Sequence, residues 1–184
     1  MQTKNPIILD TKNKAADELA AALRRLISGK QDGFGDIVFV CIGTDRATGD
    51  ALGPLVGHLL TGSGVTVYGN LKEPIHAGNL LQNLEKIKQH HKNPLIIAID
   101  ACLSSSDMIG KLIVKEGSIV PAMAIAESLP EVGNISIAGI VNVSAGVSGQ
   151  CPLAVLSTTR LGVVMHMAEV VAAGIAKYSV DKSS

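Results

Sequence analysis

The chain has 184 residues, and its 16 basic and 16 acidic side chains give a formal net charge of zero at neutral pH. Without a basic excess, binding to nucleic acid through phosphate charge is not expected. Two tyrosines, two phenylalanines and no tryptophan are too few for a base-stacking surface. Apolar residues make up 47% of the chain, which is enough for a buried core and too much for a disordered protein.

Periodic hydrophobic patterns predict the elements of one domain over residues 1–184. Helical spacing predicts a first helix at about 14–29, followed by a core at about 36–177. Strands are predicted at 36–42, 65–68, 94–100, 111–115 and 135–143, and further helices at about 50–60, 79–90 and 153–176. This alternation predicts a three-layer α/β/α sandwich with a mostly parallel, twisted sheet. The lysines of 111–115 favour an edge position for that strand.

Cysteine usage and apolar runs predict the compartment. The three cysteines are an odd number without C-x-x-C spacing, so neither a disulfide framework nor a thiolate zinc site is expected. Residues 1–29 lack the features of a secretory signal. The longest apolar stretch, 161–175, contains His166 and Glu169, so no membrane-spanning segment is expected. We therefore predict a cytoplasmic protein, and its low charge and alanine-rich final helix favour a homo-oligomer.

Acidic residues follow two of the predicted strands. The first strand runs into the loop 43–49, which precedes Asp50, and the third ends at Asp100. Sites in open α/β sheets form outside the carboxyl ends of strands, so we expect Asp50 and Asp100 to share one crevice. Two carboxylates about 4 Å apart repel by about 4 kcal/mol at an effective dielectric constant of about 20. One of them would therefore stay protonated, and such a pair can act as acid and base on a water molecule. The alternative roles are helix capping for Asp50 and bonding of loop amides for Asp100.

Several segments carry a family resemblance. Residues 41–57, CIGTDRATGDALGPLVG, closely resemble the signature of YyaC-type sporulation proteins. The same resemblance extends to EPIHA, AIDACL, LPEVG and GIVNVS, so that together the matches span about residues 36–175. That family is similar to the germination proteases, which degrade small acid-soluble spore proteins. The proposed catalytic aspartates of those proteases match Asp50 and Asp100.

The hydrogenase-maturation endopeptidases look like more distant relatives with the same α/β fold. In them, acidic residues at the positions of Asp50 and Asp100 join a histidine to bind nickel. The corresponding stretch here, 121–130, has no histidine. We therefore predict a site without metal or other cofactor. The germination proteases are also considerably longer, so their substrate-gripping segments and removable propeptide are not expected in this chain.

Five further residues are candidates for substrate binding or for support of the aspartates. Thr44, Asp45 and Thr48 lie in the loop 43–49, where capping of the loop is the alternative role. His76 follows a proline and lies in one of the motifs of the resemblance. Asn142 lies near the end of a buried strand, where a structural hydrogen bond is the alternative role.

Three other patterns are too incomplete to indicate a catalytic or nucleotide-binding site. Cys102 lies two residues after Asp100, but no nearby histidine is evident to activate its thiol. Residues 146–149 miss the G-x-S-x-G spacing by one residue. The loop 43–49 contains neither G-x-G-x-x-G nor a P-loop lysine.

Together these observations predict an aspartate-dependent, peptidase-like hydrolase. Its expected partner is a protein or peptide substrate, either small acid-soluble spore proteins or a related sporulation substrate, and neither nucleic acid nor a membrane is expected. Two alternatives stay open. The first is a non-enzymatic sporulation protein that keeps the acidic crevice for binding, and the second is a metal-guided maturation endopeptidase.

Overall fold

A computed structural model of the chain describes residues 5–30, 33–121, 129–144 and 149–181. Within these ranges six strands form one sheet, in the spatial order β1-β5-β6-β4-β2-β3. In chain order, the strands are β1 (Ile7–Asp10), β2 (Ile37–Cys41), β3 (Thr66–Tyr68), β4 (Leu95–Ser104), β5 (Lys111–Glu116) and β6 (Ile135–Val143).

Five α-helices accompany the sheet in the described part of the chain. They are α1 (Ala15–Ser28), α2 (Leu52–Leu59), α3 (Leu80–His90), α4 (Pro152–Ser157) and α5 (Leu161–Asp181). A short 3-10 turn, Thr48–Ala51, leads into α2, and a second, Ser106–Met108, precedes β5.

The sheet is mixed but mostly parallel. Strands β3, β2, β4 and β6 run parallel to one another, whereas β5 runs antiparallel to both β6 and β1. One face carries the larger apolar cluster, to which α1, α2 and α5 contribute. The other face carries a smaller cluster that includes Leu80 and Ile87 of α3. The predicted α/β architecture with helices on both faces is therefore confirmed.

The predicted edge position of the strand at 111–115 is wrong. The structure places β5 inside the sheet, because β1 pairs along its outer side with Leu9 opposite Leu112. The edge strand β1 has only four residues. A segment of that length is too short to show a clear alternation of apolar and polar residues.

The single long helix predicted at 153–176 is divided into α4 and α5. The hydroxyls of Thr158 and Thr159 donate to the carbonyls of Ala154 and Val155, each at 2.9 Å. Threonine hydroxyls that bond back to the preceding turn compete with the helical backbone pattern, and the chain leaves the helix here. The loop predicted at 146–149 lies outside the described residues except for Gly149.

Helix α5 is long and apolar enough to cross a membrane, judged by length and composition alone. Its residues Val164, Met167 and Val171, however, are buried in the larger apolar cluster. Gly174 of the same helix lies directly against Leu19 of α1. Such burial is typical of a core helix in a globular domain.

Candidate functional site

Asp50 lies in the 3-10 turn that precedes α2, two residues before the regular helix begins. Its side chain is buried, with the residue 2% exposed. The carboxylate Oδ2 accepts a hydrogen bond from the Thr44 amide at 2.9 Å. The same amide also approaches the Asp50 carbonyl oxygen at 3.1 Å. Asp50 therefore closes the loop 44–50 upon itself, directly after β2.

Two glycines let this turn lie against the end of β2. Gly43 has a φ of +135°, and a Cβ there would fall 2.0 Å from the Asp50 carbonyl oxygen. A Cβ on Gly53 would fall 2.0 Å from the carbonyl oxygen of Ile42. Only glycine fits either contact without displacing backbone. These two residues therefore fix the position of Asp50 relative to the sheet.

Asp100 lies inside β4, which continues to Ser104 beyond a bulge at Cys102. The expectation that this strand ends at Asp100 is therefore wrong, because pairing with β6 resumes after the bulge and continues to Ser104. Asp100 is 1% exposed, and its Oδ1 accepts a hydrogen bond from the Ala101 amide at 2.9 Å.

The register of the sheet relates the two aspartates. Cys41 of β2 pairs with Ile99 of β4, so Asp100 lies at the level of Ile42, one residue before Gly43. The 3-10 turn that carries Asp50 packs against β4. Both buried carboxyl groups thus belong to the carboxyl-terminal edge of the paired strands β2 and β4. That they act as a catalytic pair stays a prediction.

Burial sets the protonation behaviour of the site. It raises the pKa of Asp50 from 3.8 to about 6, against the opposing hydrogen bond from Thr44. A carboxyl group that titrates near neutral pH can both take up and release a proton during a reaction. Burial also raises the pKa of Cys102, and the charge of Asp100 adds to this effect. Cys102 is therefore a protonated thiol, which supports its structural interpretation.

His76 lies at the same edge of the sheet. Its neighbour Ile75 bridges Ile42, and the Ile75 carbonyl accepts a hydrogen bond from the Gly43 amide at 2.7 Å. Nδ1 of His76 accepts a hydrogen bond from the Gly78 amide at 3.2 Å. In the neutral ring, Nε2 then carries the proton. The backbone next to His76 therefore contacts Gly43 at the start of the loop 43–49, and a substrate-binding role for His76 stays a prediction.

The remaining candidates differ in their surroundings. The hydroxyl of Thr44 accepts a hydrogen bond from the Arg46 amide at 3.3 Å, which is a loop-capping contact. Asp45 is exposed, and Thr48 begins the 3-10 turn and is half-buried. Asn142 donates through Nδ2 to the hydroxyl of Thr159 at 3.1 Å. The amide of Asn142 therefore ties the end of β6 to the segment that follows α4.

Thr159 is a supporting residue that sequence reasoning missed. A Cβ on Gly49 would fall 2.8 Å from the Thr159 hydroxyl, so this side chain packs directly on the loop next to Asp50. A continuous line of contacts therefore runs toward Asp50, from Asn142 through Thr159 to Gly49. No local sequence pattern could show this line, because its members come from three separate segments.

Ser136 is a second residue that sequence reasoning missed. It is 1% exposed, and its hydroxyl has no hydrogen-bond partner among the residues that the structure describes. Ser136 pairs with Ala98, two positions before Asp100 in β4. Alternate residues of a strand share a face, so Ser136 and Asp100 lie on the same side of the sheet. A serine within an apolar strand gives no signal in a single sequence.

Metal binding can be tested against the donors present. In the described ranges, no three or more His, Cys, Asp or Glu side chains are grouped so that they could hold a metal ion. Asp50 and Asp100 offer carboxylates alone, whereas nickel is well suited to imidazole ligands. These donors do not fit a nickel centre. The absence of a metal requirement stays a prediction.

Comparison with solved structures identifies the fold class. The chain is similar to a NiFe hydrogenase maturation protease, HycI from Thermococcus kodakarensis, with a TM-score of 0.56 and 18% sequence identity. The similarity covers 83% of this chain and 97% of the other. The chain thus has the α/β fold of that maturation protease.

The sequence comparisons then identify the family. Residues 7–174 match the family described as protein of unknown function DUF1256, and the chain belongs to that family. It is also 47% identical over 142 residues to the uncharacterized protein YyaC of Bacillus subtilis (strain 168). That match covers 76% of this chain and 67% of the relative. The resemblance to YyaC-type proteins and to the maturation-protease fold is therefore confirmed.

Proposed function

We propose that this chain is a peptidase-like hydrolase in which Asp50 and Asp100 act on one water molecule. The observation that carries the proposal is the buried Asp50 carboxyl, whose pKa burial raises to about 6 at the strand edge that also holds Asp100. Burial of a carboxyl group without a neighbouring cation costs free energy. Carboxyl groups buried in this way are concentrated at functional sites. The maturation-protease fold supports peptide hydrolysis as that function.

The reaction requires one ionised and one protonated carboxyl group. The ionised carboxylate takes a proton from water, and the resulting hydroxide adds to the peptide carbonyl carbon. The protonated partner gives its proton to the carbonyl oxygen, which leaves a tetrahedral intermediate. When the C–N bond breaks, the first carboxyl group protonates the leaving amine. The second recovers its proton from a hydroxyl of the intermediate, and both groups return to their initial states.

We propose small acid-soluble spore proteins, or a related sporulation protein, as the substrate. The support is the match of Asp50 and Asp100 to the proposed catalytic aspartates of the germination proteases, together with the 47% identity to a Bacillus subtilis protein. We also propose a location in the cytoplasm of the spore or sporulating cell. All three cysteines are free, as expected in a reducing compartment.

The test is cleavage of purified small acid-soluble spore proteins by the wild-type chain, Asp50→Asn and Asp100→Asn. We expect each variant to lose at least about 99% of the wild-type rate, since a missing acid or base costs roughly 10²- to 10⁴-fold. Asp107→Asn is the matched control, because Asp107 is an exposed aspartate in the turn before β5. Circular dichroism would confirm that all three variants fold. Cleavage at the wild-type rate by either site variant would refute the proposal.

A further inference from the structure

A cavity lies beside the first turn of α5. Its volume is about 480 Å³, within the range of small-ligand sites of about 300–1,000 Å³. Ile109, Val163 and Met167 form its apolar wall. Neither Asp50 nor Asp100 is among the described residues that line it. The cavity is therefore distinct from the candidate hydrolytic site.

The polar lining of this cavity is basic. The cavity is lined by the basic residues Lys12, Arg160 and His166. Among the described residues, no aspartate or glutamate lines it. The ammonium of Lys12 lies 3.8 Å from the exposed carboxylate of Asp10, and Nε2 of His166 donates to the Thr11 carbonyl at 2.9 Å. The Arg160 guanidinium forms no ion pair with any residue in the described ranges. Its charge is therefore available to a ligand.

The helix itself adds to this positive potential. Helix α5 has 21 residues, and its first intrahelical hydrogen bond runs from the Val163 amide to the Arg160 carbonyl at 3.1 Å. The preceding amides, those of Leu161 and Gly162, have no acceptor within the helix. Unpaired amides and the helix dipole favour an anion at this end. A Cβ on Gly162 would meet nothing within 4 Å, so the space in front of the turn is open.

We propose that this cavity binds a carboxylate carried on a short aliphatic group. The aliphatic part would lie against Ile109, Val163 and Met167. The carboxylate would face Arg160, whose planar guanidinium can hold both oxygens at once. A free small carboxylate and the carboxyl terminus of a peptide share this chemistry, and the proposal does not depend on hydrolysis at Asp50.

The test is a titration of the isotope-labelled chain, followed through the amide resonances of Gly110 and Gly162. Hexanoate represents a free carboxylate, N-acetyl-leucine a peptide terminus, and N-acetyl-leucinamide its neutral counterpart. We expect saturable shifts with at least one of the two acids and about tenfold weaker binding of the amide. The stronger acid identifies the source of the ligand. No saturable shift with either acid, or equal binding of the amide or of inorganic phosphate, would overturn the proposal.

Two variants localise the binding. Arg160→Gln removes the charge from an exposed side chain and should weaken binding of the acid about tenfold. Gly162→Leu should block the cavity while keeping the helix. Arg25→Gln, at an exposed position on α1 outside the cavity, is the matched control and should bind like the wild type. Thermal unfolding checks each fold. If Arg160→Gln is unfolded, the Gly162→Leu variant alone tests whether the acid binds in this cavity. Binding at the wild-type affinity by a folded Gly162→Leu chain would contradict the assignment.

Discussion

Asp50 opposes folding at neutral pH. Burial raises its pKa from 3.8 to about 6, so the folded chain holds this proton more tightly than the unfolded chain. As pH rises from about 4 to about 6, the unfolded state loses the proton first and the free energy of unfolding falls. Above about pH 6 the loss is complete, and it amounts to about 3 kcal/mol. Natural proteins keep such unfavourable groups mainly where they have a function.

Replacing this carboxyl group should stabilise the protein. In Asp50→Asn, the amide oxygen can still accept the hydrogen bond from Thr44, but no ionised group is buried. We expect the variant to exceed the wild type in unfolding free energy at pH 7 by up to about 3 kcal/mol, and the difference to shrink toward pH 4. Urea unfolding of both chains from pH 4 to pH 8 measures this. Parallel stability curves across that range would show that folding does not raise the pKa of Asp50.

Helix α2 positions the site because it lies unusually close to the sheet. Gly53 and Gly57, one turn apart, both face backbone: a Cβ on Gly53 would fall 2.0 Å from the Ile42 carbonyl oxygen and one on Gly57 would fall 1.8 Å from that of Gly69. Both contacts exclude any side chain. The helix therefore holds the preceding turn, and Asp50 within it, against the ends of β2 and β3.

Gly57→Ala should break this close packing. The added methyl group must displace backbone, and we expect a loss of about 2 kcal/mol or more in unfolding free energy. Gly162→Ala is the matched control, since that position is also helical but open, and it should be neutral or slightly stabilising. Denaturant unfolding of both variants checks the prediction. Equal stabilities would mean that α2 does not depend on the glycine contact.

The elements that sequence reasoning predicted well are those with long, continuous patterns. The buried runs at β2, β4 and β6 have too many apolar residues for any position other than the sheet interior. The four-residue strand β1 was missed for lack of pattern length. The break between α4 and α5 was missed because it coincides with side-chain bonds of Thr158 and Thr159 that the apolar pattern does not show.

For the candidate site, sequence reasoning could place residues along strands but not across the molecule. It related Asp50 and Asp100 through the rule that strand ends share an edge. The register of β2 with β4 places Asp100 at the level of Ile42, and a shared site for the two aspartates stays a prediction. It could not find Thr159, which packs on Gly49 from a segment more than a hundred residues away. Nor could it find Ser136, because the lack of a partner for a buried hydroxyl is visible only in three dimensions.

At the scale of the whole molecule, two strands and one turn hold two buried carboxyl groups at one edge of the sheet, and the proposed hydrolysis requires that these groups interact. The most direct measurement is the titration of the Asp50 carboxyl carbon by NMR in the wild type and in Asp100→Asn. If the groups interact, removal of the Asp100 charge should lower the pKa of Asp50 below the value that burial alone produces. An Asp50 titration that keeps the same midpoint in a folded Asp100→Asn chain would contradict the account.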